Sequence, residues 1–547
     1  MIEQVTGWVL VIYNYFITLC YKISFYVKRL GSFTSTDSSA VHERSRTDFY
    51  QASHDRDKKQ TSQKSKLKPS SEIPGPKCLP LFGSLFEFMK FGTRRLHELS
   101  VERHEQFGDI FREKVLSQEM VFVANVDLMK QWMTQQAKNP DVVVQEPSHM
   151  FAKAYPQFKR GLFYRQGEDW GRLRKVVQST LVKNASTFET SDLLDACATY
   201  MDEQMKTLRH HPDGAITNLE TFSYEFTLGV LIRVMFGSTY QKFEEYSGTT
   251  FETLCKNAIE INIHNQDLLE VPGGIAKMFN MECWTGFHTK LAHNLTSCLK
   301  FSSRLRDDIM ESPENASMKT YGLLYKMLMM NIAPQDIDDM LTDFACDTKD
   351  PFAGTMMFLT QLLATCPDIQ EAIYEEVCQI CPKNQMITLA EVKRLEYTEA
   401  FFKEAIRLYP IAPFTARIAM HDTVIGGYLI RPGTYIMYST YVTNRDPRYF
   451  ADPMKVWPER WLESRKQKVG TEPLKTTQSP VCDTAAFGSF GLGKRVCIGN
   501  HLATAIFTMY LANLVRNFKM TSDELPEPTM RTVLYPSKPG LVRLEIR

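Results

Sequence analysis

Near the C-terminal end of the 547-residue chain, one cysteine is set among residues that change what a thiol can do: Phe490-Gly491-Leu492-Gly493-Lys494-Arg495-Val496-Cys497-Ile498-Gly499. Glycines on both sides of Cys497 allow positive φ and a close approach of the backbone to a flat ligand. A cation two residues earlier and nearby backbone N–H groups favour the thiolate, the form of cysteine that binds metal. Apolar and small residues recur at helical spacing over 501–518, so Cys497 stands just before a helix N-terminus. The partial positive charge of that end supports a bound thiolate. A lone cysteine is ordinarily a small buried hydrophobe. Here Phe490, the glycines and Arg495 at fixed offsets argue for a metal ligand.

Two further constellations have the right types and spacing for recognition or support. Trp170-Gly171-Arg172-Leu173-Arg174 puts an indole N–H and a guanidinium on one helical face, a pair suited to a carboxylate at fixed depth. On its own the pattern equally describes a surface arginine near a core tryptophan. Glu404-Ala405-Ile406-Arg407 places opposite charges at i, i+3 on a helix. Exposed, such a pair contributes almost nothing. The apolar residues around it, Phe401-Phe402 and Leu408-Tyr409-Pro410, predict a buried pair instead.

The cysteine stretch resembles the loop of the haem-thiolate monooxygenases, the cytochrome P-450 superfamily, and the resemblance runs from about residue 73 to the C-terminus. It implies haem b (iron protoporphyrin IX) as cofactor, with Cys497 as axial ligand, Phe490 beside the ring and Arg495 on a propionate. It also implies that Trp170 and Arg174 clamp a propionate, as does Arg417 in Pro413-Phe414-Thr415-Ala416-Arg417. Glu404 and Arg407 match the family's E-x-x-R motif. Its third member is Arg460, in Pro458-Glu459-Arg460-Trp461, and the triad supports the fold without taking part in chemistry.

The family's distal helix usually carries an acid followed by hydroxyl residues, which relay protons as general acids. This chain departs from that pattern. Local similarity places the acid and hydroxyl at Asp347-Thr348, within Ala345-Cys346-Asp347-Thr348-Lys349. Counting back without gaps from Pro367 places the acid at Asp350, with Pro351-Phe352 at the hydroxyl positions. Pro351 lacks an N–H and kinks or breaks a helix, a break best tolerated where a groove already interrupts the ladder. That favours Asp350.

Arg417-Ile418, Asp422, Gly426-Gly427-Tyr428 and Arg460-Trp461 resemble the mitochondrial branch of the superfamily. The resemblance implies electrons from an adrenodoxin-like ferredoxin and its NADPH reductase, with Lys403, Lys494 and Arg495 as docking candidates. Where the branch usually has two arginines after the loop's last glycine, this chain has Asn500-His501. Several stretches are similar to arthropod ecdysteroid 2-hydroxylases. These are residues 108–114, 160–163, Asn444-Arg445-Asp446-Pro447, and Arg407 through Ile411-Ala412-Pro413-Phe414, which lies beside the substrate pocket in this fold. That likeness implies C2 hydroxylation of 2-deoxyecdysone to ecdysone. The alternatives are another mitochondrial-type steroid or xenobiotic hydroxylase, an isomerase or dehydratase needing no reductase, and a non-catalytic haem or sterol binder.

The elements that must position these residues follow from pattern. An apolar fraction of 44% and a net charge of +1 describe a globular chain without a nucleic-acid footprint. Twelve cysteines show no metal-like spacing, and Cys378-x-x-Cys381 reads as two free thiols at a helix end. Residues 1–36 form an apolar, then basic leader, either a presequence or a membrane anchor. Residues 37–71 are a polar tether too poor in apolar area to fold. Its length favours an imported, cleaved leader, hence the matrix side of the mitochondrial inner membrane and contact with a membrane surface. The endoplasmic reticulum membrane is the other location. Residues 72–547 form the haem domain, entered through Ile73-Pro74-Gly75-Pro76. Helices are expected over 94–107, 126–135, 191–208, 217–236, 285–311, 320–330 and 336–365, with strands at 110–115, 120–123 and within 423–440. The fold class is mainly α with small β-sheets, the haem lying between a long distal helix and the helix after Cys497.

Overall fold

The computed structural model describes residues 67–547 except 81, 88–91, 117, 144–145, 159–160, 182–187, 211–213, 272, 344–346, 383–384, 463–481 and 539. The leader, most of the tether, Arg160 and Ala345-Cys346 lie outside the described residues. The helices that matter for the site are α1 (Leu96–Phe107), α2 (Val126–Thr134), α3 (Gly167–Leu181), α4 (Phe188–Arg209), α5 (Leu219–Phe236), α6 (Phe251–Glu270), α7 (Glu282–Glu311) and α8 (Met318–Met329). They are followed by α9 (Pro334–Asp343), α10 (Lys349–Ala364), α11 (Pro367–Ile380), α12 (Glu396–Leu408) and α13 (Asn500–Asn517). Helices and small sheets combine as the α+β reading expects.

The largest apolar core joins six of these helices through Met201, Val234, Met357, Leu362, Val377, Phe402, Phe507 and Leu511. Both α10 and α13 are buried along nearly their whole length. A helix apolar on all faces has no solvent side and must run through a core. That places α13, the helix after Cys497, at the centre of the molecule.

The strands are β1 (Lys68–Pro69), β2 (Ile110–Val115), β3 (Gln118–Val123), β4 (Ala215–Ile216), β5 (Thr415–Ile418), β6 (Thr423–Ile425), β7 (Tyr428–Ile430), β8 (Tyr435–Tyr438), β9 (Phe518–Thr521), β10 (Pro528–Met530), β11 (Leu534–Pro536) and β12 (Val542–Ile546). The four-stranded sheet runs β2-β3-β8-β5, with β3 and β8 parallel and β5 antiparallel at the edge, Arg417 opposite Ile436. Alternation along β5 turns Thr415 and Arg417 inward. Sheet structure starts before residue 72: Lys68 and Pro69 pair with Tyr428 and Leu429 of β7. Main-chain pairing needs no apolar side chains, so a polar composition did not reveal it.

The expected distal helix is seen as two stretches, and residues 344–346 between them lie outside the described residues. Helix α9 ends at Asp343, residues 347–348 form a π-helical turn, and α10 starts at Lys349. Pro351 is therefore in the first turn of α10, where a missing N–H costs no helical hydrogen bond. No helix among the described residues is long and apolar enough to cross a membrane.

Two histidines buried in α1 make the fold sensitive to acid. Burial is the main reason that His97 and His104 are both held down to about 4. His104 is fixed between the Gly108 carbonyl and the Ser439 hydroxyl, 2.8 Å from each. Below the free value of about 6.5 the unfolded chain binds more protons than the folded one. Stability is therefore full above about pH 6.5 and falls as pH drops towards 4, by up to ~3 kcal/mol per histidine. His97→Phe should flatten the fall in thermal midpoint between pH 7 and 5. An unchanged slope would contradict this account.

Candidate active site

Cys497 is held by a tight loop rather than by regular structure. Its N–H donates to the Phe490 carbonyl at 2.8 Å, and the Gly491 N–H donates to Gly488 at 2.8 Å. Gly491 and Gly493 take φ of +75° and +69°, which only glycine adopts without strain. The sequence supplies glycine at both places, so the loop can fold back over one turn before α13 begins at Asn500. Phe490 packs towards Phe402 of α12, ring centres 6.4 Å apart, and Phe402 stacks on Phe507 of α13 at 5.4 Å.

The Cys497 side chain keeps exposed surface, yet burial still raises its thiol pKa. The two facts agree if the sulfur lines a concave wall, open to a small ligand and surrounded by chain. The Gly499 backbone N–H and the Arg174 charge act the other way, favouring the thiolate. Every other described cysteine is also free. Cys197 is buried and pushed up to about 12, as an inert core thiol should be. Cys381 is buried at the end of α11, with Cys378 half-buried one turn earlier.

Three guanidiniums from three elements gather beside this loop. Arg174 of α3 donates to the Val496 carbonyl at 2.9 Å. Arg417 of β5 reaches the Leu492 carbonyl at 3.3 Å, and its buried Nε has no partner. Arg495 lies over the Trp170 ring at 4.1 Å and donates to the carbonyls of Pro140 and Arg165 at 2.9 and 2.7 Å. Burial takes Arg417 down to about 10. Burial first, then repulsion from Arg417, partly offset by the pull of Asp141 and with a smaller repulsion from Arg174, takes Arg495 down to about 9. Buried cations without enough negative charge are costly, and a dianionic ligand would relieve all three. The donor set, the open thiol and the orphaned Arg417 Nε fit a haem with its two propionates. The predicted clamp residues Trp170, Arg174, Arg417, Phe490, Arg495 and Cys497 are thus brought together.

The predicted triad is also assembled, fully buried. Glu404 accepts from Arg407 Nε at 2.9 Å and Nη2 at 2.8 Å, and from Arg460 Nε at 3.1 Å. Sequence reasoning missed two more donors: the Trp461 indole at 2.9 Å and the Trp457 N–H at 3.0 Å. Asn444 joins the triad to the cysteine loop, donating to the Arg407 carbonyl at 3.1 Å and to Ser489 at 2.9 Å.

The distal candidates occupy different surroundings. Asp350 is buried; it accepts from the Tyr224 hydroxyl at 2.7 Å and pairs with buried Lys349 at 2.8 Å. Tyr224 meets the Tyr535 hydroxyl at 2.9 Å, and Tyr535 donates to the Asp350 carbonyl at 3.2 Å. Asp347 is half-buried and accepts from the Tyr164 hydroxyl at 2.9 Å, while Thr348 is half-buried at the start of α10. None of these tyrosines stands near its partner in sequence, so no local signal pointed to them. Of the docking candidates, Lys403 pairs with Glu399 at 2.6 Å and Arg495 is turned inward. Lys494 is exposed, although its ammonium donates to the Ala137 carbonyl at 2.9 Å.

The family model described as Cytochrome P450 matches residues 73–544. The chain is 26% identical over 479 residues to the mouse protein "1,25-dihydroxyvitamin D(3) 24-hydroxylase, mitochondrial" (Mus musculus), covering 86% of this chain and 88% of that one. It is 25% identical over 498 residues to "Cytochrome P450 315a1, mitochondrial" of Drosophila melanogaster, covering 87% and 88%. Against the mouse "25-hydroxyvitamin D-1 alpha hydroxylase, mitochondrial" it is 25% identical over 492 residues, covering 86% and 92%.

Proposed function

The chain belongs to the cytochrome P450 family, and from that premise we propose that it is a mitochondrial-type steroid hydroxylase taking electrons from ferredoxin and acting at C2 of 2-deoxyecdysone. The observation that carries a working haem site is the open Cys497 thiol beside three guanidiniums, Arg417 buried and Arg174 and Arg495 half-buried, that are short of negative charge. The steroid reading rests on Ile411-Ala412-Pro413-Phe414 and the other stretches similar to ecdysteroid 2-hydroxylases. Relatives named as mitochondrial hydroxylases of vitamin D compounds support it, and their names support a mitochondrial location; the matrix side of the inner membrane is part of the proposal.

In this family haem binds through a cysteine thiolate; when bound it supplies insertion of one atom of dioxygen into a C–H bond, the other leaving as water with two electrons and two protons. Cys497 is the residue to hold the iron. Arg174, Arg417 and Arg495, with Trp170 under Arg495, would neutralise the propionates, and Phe490 would wall one side. Asp350 is assigned the proton relay, because its carboxylate is already joined to the Tyr224–Tyr535 hydroxyl pair and to Lys349. Asp347-Thr348, tied to Tyr164, is the other register.

Purified enzyme with NADPH, ferredoxin reductase and ferredoxin should convert 2-deoxyecdysone to ecdysone. Conversion of a substrate without any reductant would make the protein an isomerase or dehydratase, and support from a microsomal reductase alone would remove the ferredoxin branch. In the same assay Asp350→Asn should slow turnover on the order of 10²-fold, the usual worth of a general acid, and raise peroxide release. Thr348→Ala should stay near wild type. The reverse pattern moves the relay to Asp347-Thr348.

A further inference from the structure

The segment that leads into α3 is tied to the distal helix on one side and to the cysteine loop on the other. Three acids of the distal stretches take partners from residues 164–172. Arg165 pairs with Asp339 of α9 and, at 2.8 Å, with Asp169 in the first turn of α3. The Tyr164 hydroxyl donates to Asp347 at 2.9 Å. Arg172, already within α3, donates to both oxygens of Asp336 at 2.6 and 2.8 Å. The Arg165 and Asp339 side chains are only 11% and 5% exposed, so theirs is an enclosed pair whose loss leaves a charge uncompensated.

The main chain of the same segment serves Arg495. That guanidinium donates to the Arg165 and Leu162 carbonyls at 2.7 and 3.4 Å and to Gln166 Oε1 at 3.2 Å. The Gln166 amide is also fixed to Val142 much as a strand neighbour would be. It accepts from the Val142 N–H at 3.0 Å and donates to the Val142 carbonyl at 2.9 Å. The Gly167 N–H donates to Asp141 at 3.0 Å, and the Pro140 carbonyl accepts from Arg495 Nε at 2.9 Å. Arg495 therefore sits between two straps, 140–142 and 162–167, which Gln166 joins. Carbonyls and amides are neutral: they fix a guanidinium in place and leave its charge for an anion.

Resting on the reading of Arg495 as a propionate ligand, we infer that Gln166, Arg165 and Asp339 are positioning residues for the haem, through which α9 sets how firmly it is held. Each acts through Arg495. Asp339 anchors the Arg165 side chain from the distal side, the Arg165 carbonyl fixes one guanidinium nitrogen, and Gln166 holds the two straps together around it. Without the carboxylate at 339 the Arg165 side chain loses its buried anchor, and its carbonyl is free to draw away from Arg495. A hydrogen bond stretched past about 3.5 Å is no longer one, so a small shift of the strap is enough to release the guanidinium from its place.

The test is the rate at which the purified, haem-loaded protein gives up haem to excess apomyoglobin, followed by absorbance. Gln166→Leu should speed transfer about tenfold, the worth of one hydrogen bond to a charged group, and Asp339→Asn at least about threefold. Asp336→Asn breaks the neighbouring pair with Arg172 on the same helix and should stay within about 1.5-fold of wild type. In an Arg495→Gln background, itself faster than wild type, Asp339→Asn should add nothing, because the residue through which it acts is gone. Equal acceleration by Asp336→Asn and Asp339→Asn would mean that α9 docking in general holds the haem, and would overturn the inference. So would an unchanged rate in Asp339→Asn, or effects that multiply in the double variant. Where the double variant takes up no haem, the contrast between the two aspartates decides alone. An unchanged rate in Arg495→Gln would overturn the clamp assignment and this inference with it, whereas the other failures leave that assignment standing.

Discussion

Cys497→Ser should abolish the red-shifted Soret band of the reduced, carbon monoxide-bound protein, leaving at most the band of haem without a thiolate. A serine hydroxyl stays neutral where a thiol ionises, so the loop would keep its shape and lose its ligand. The backbone would be little disturbed, because the Cys497 N–H still reaches the Phe490 carbonyl and the glycines still carry their positive φ. No other described cysteine shares these surroundings: the thiols at 197 and 298 are both driven up to about 12 by burial. Haem content measured alongside separates loss of ligation from loss of haem, since Arg174, Arg417 and Arg495 would still face the propionates. An unchanged band in this variant would end the reading of Cys497 as the axial ligand and the mechanism built on it.

What was legible in the sequence was what local spacing alone can carry. The Cys497 loop, Trp170 with Arg174, and Glu404 with Arg407 each lie within one or two helical turns, so their geometry follows from residue offsets. Most helices between residues 188 and 364 followed from amphipathic period in the same way. Partnerships made across the fold were not legible. Tyr224 reaches Asp350 over 126 residues, and Tyr535 reaches Tyr224 over 311. Helix α6 was hidden for a related reason: amides at its buried positions break the apolar stripe by which a helix is read. The strands β9 to β12 are short, three to five residues; β12 pairs with β9 and the distant β4, and β10 with β11. Nothing in so short a run separates a strand from a loop. The distal helix is the instructive disagreement. The proline that predicted a kink lies just after the π-helical turn at 347–348, in the first turn of α10, which accommodates it.

Glu404→Gln should be the most destabilising single change in the described core. Among the described residues the carboxylate is the only negative group paired with two fully buried guanidiniums, Arg407 and Arg460, and all three side chains have no solvent exposure. A glutamine keeps the volume and one acceptor, so the loss isolates charge from packing. Removing one partner of a buried ion pair costs about 3–5 kcal/mol, because the other charge stays desolvated and unbalanced. Here two cations would be left. Arg460→Met should cost less, since Glu404 and Arg407 then remain as a neutral pair, still held by the Trp461 indole and the Trp457 N–H. The damage from Glu404→Gln should also travel. Arg407 fixes Asn444 through hydrogen bonds in both directions, 2.7 Å to its carbonyl and 3.1 Å from its amide. Asn444 in turn holds Ser489, next to the loop residue Phe490. Urea unfolding should therefore show a midpoint lowered most by Glu404→Gln and less by Arg460→Met, with haem content falling in the same order. Equal losses for the two variants would mean that packing, not charge balance, sets the stability of the triad. A loss under about 1 kcal/mol for Glu404→Gln would place the pair with exposed ones, contrary to its burial here.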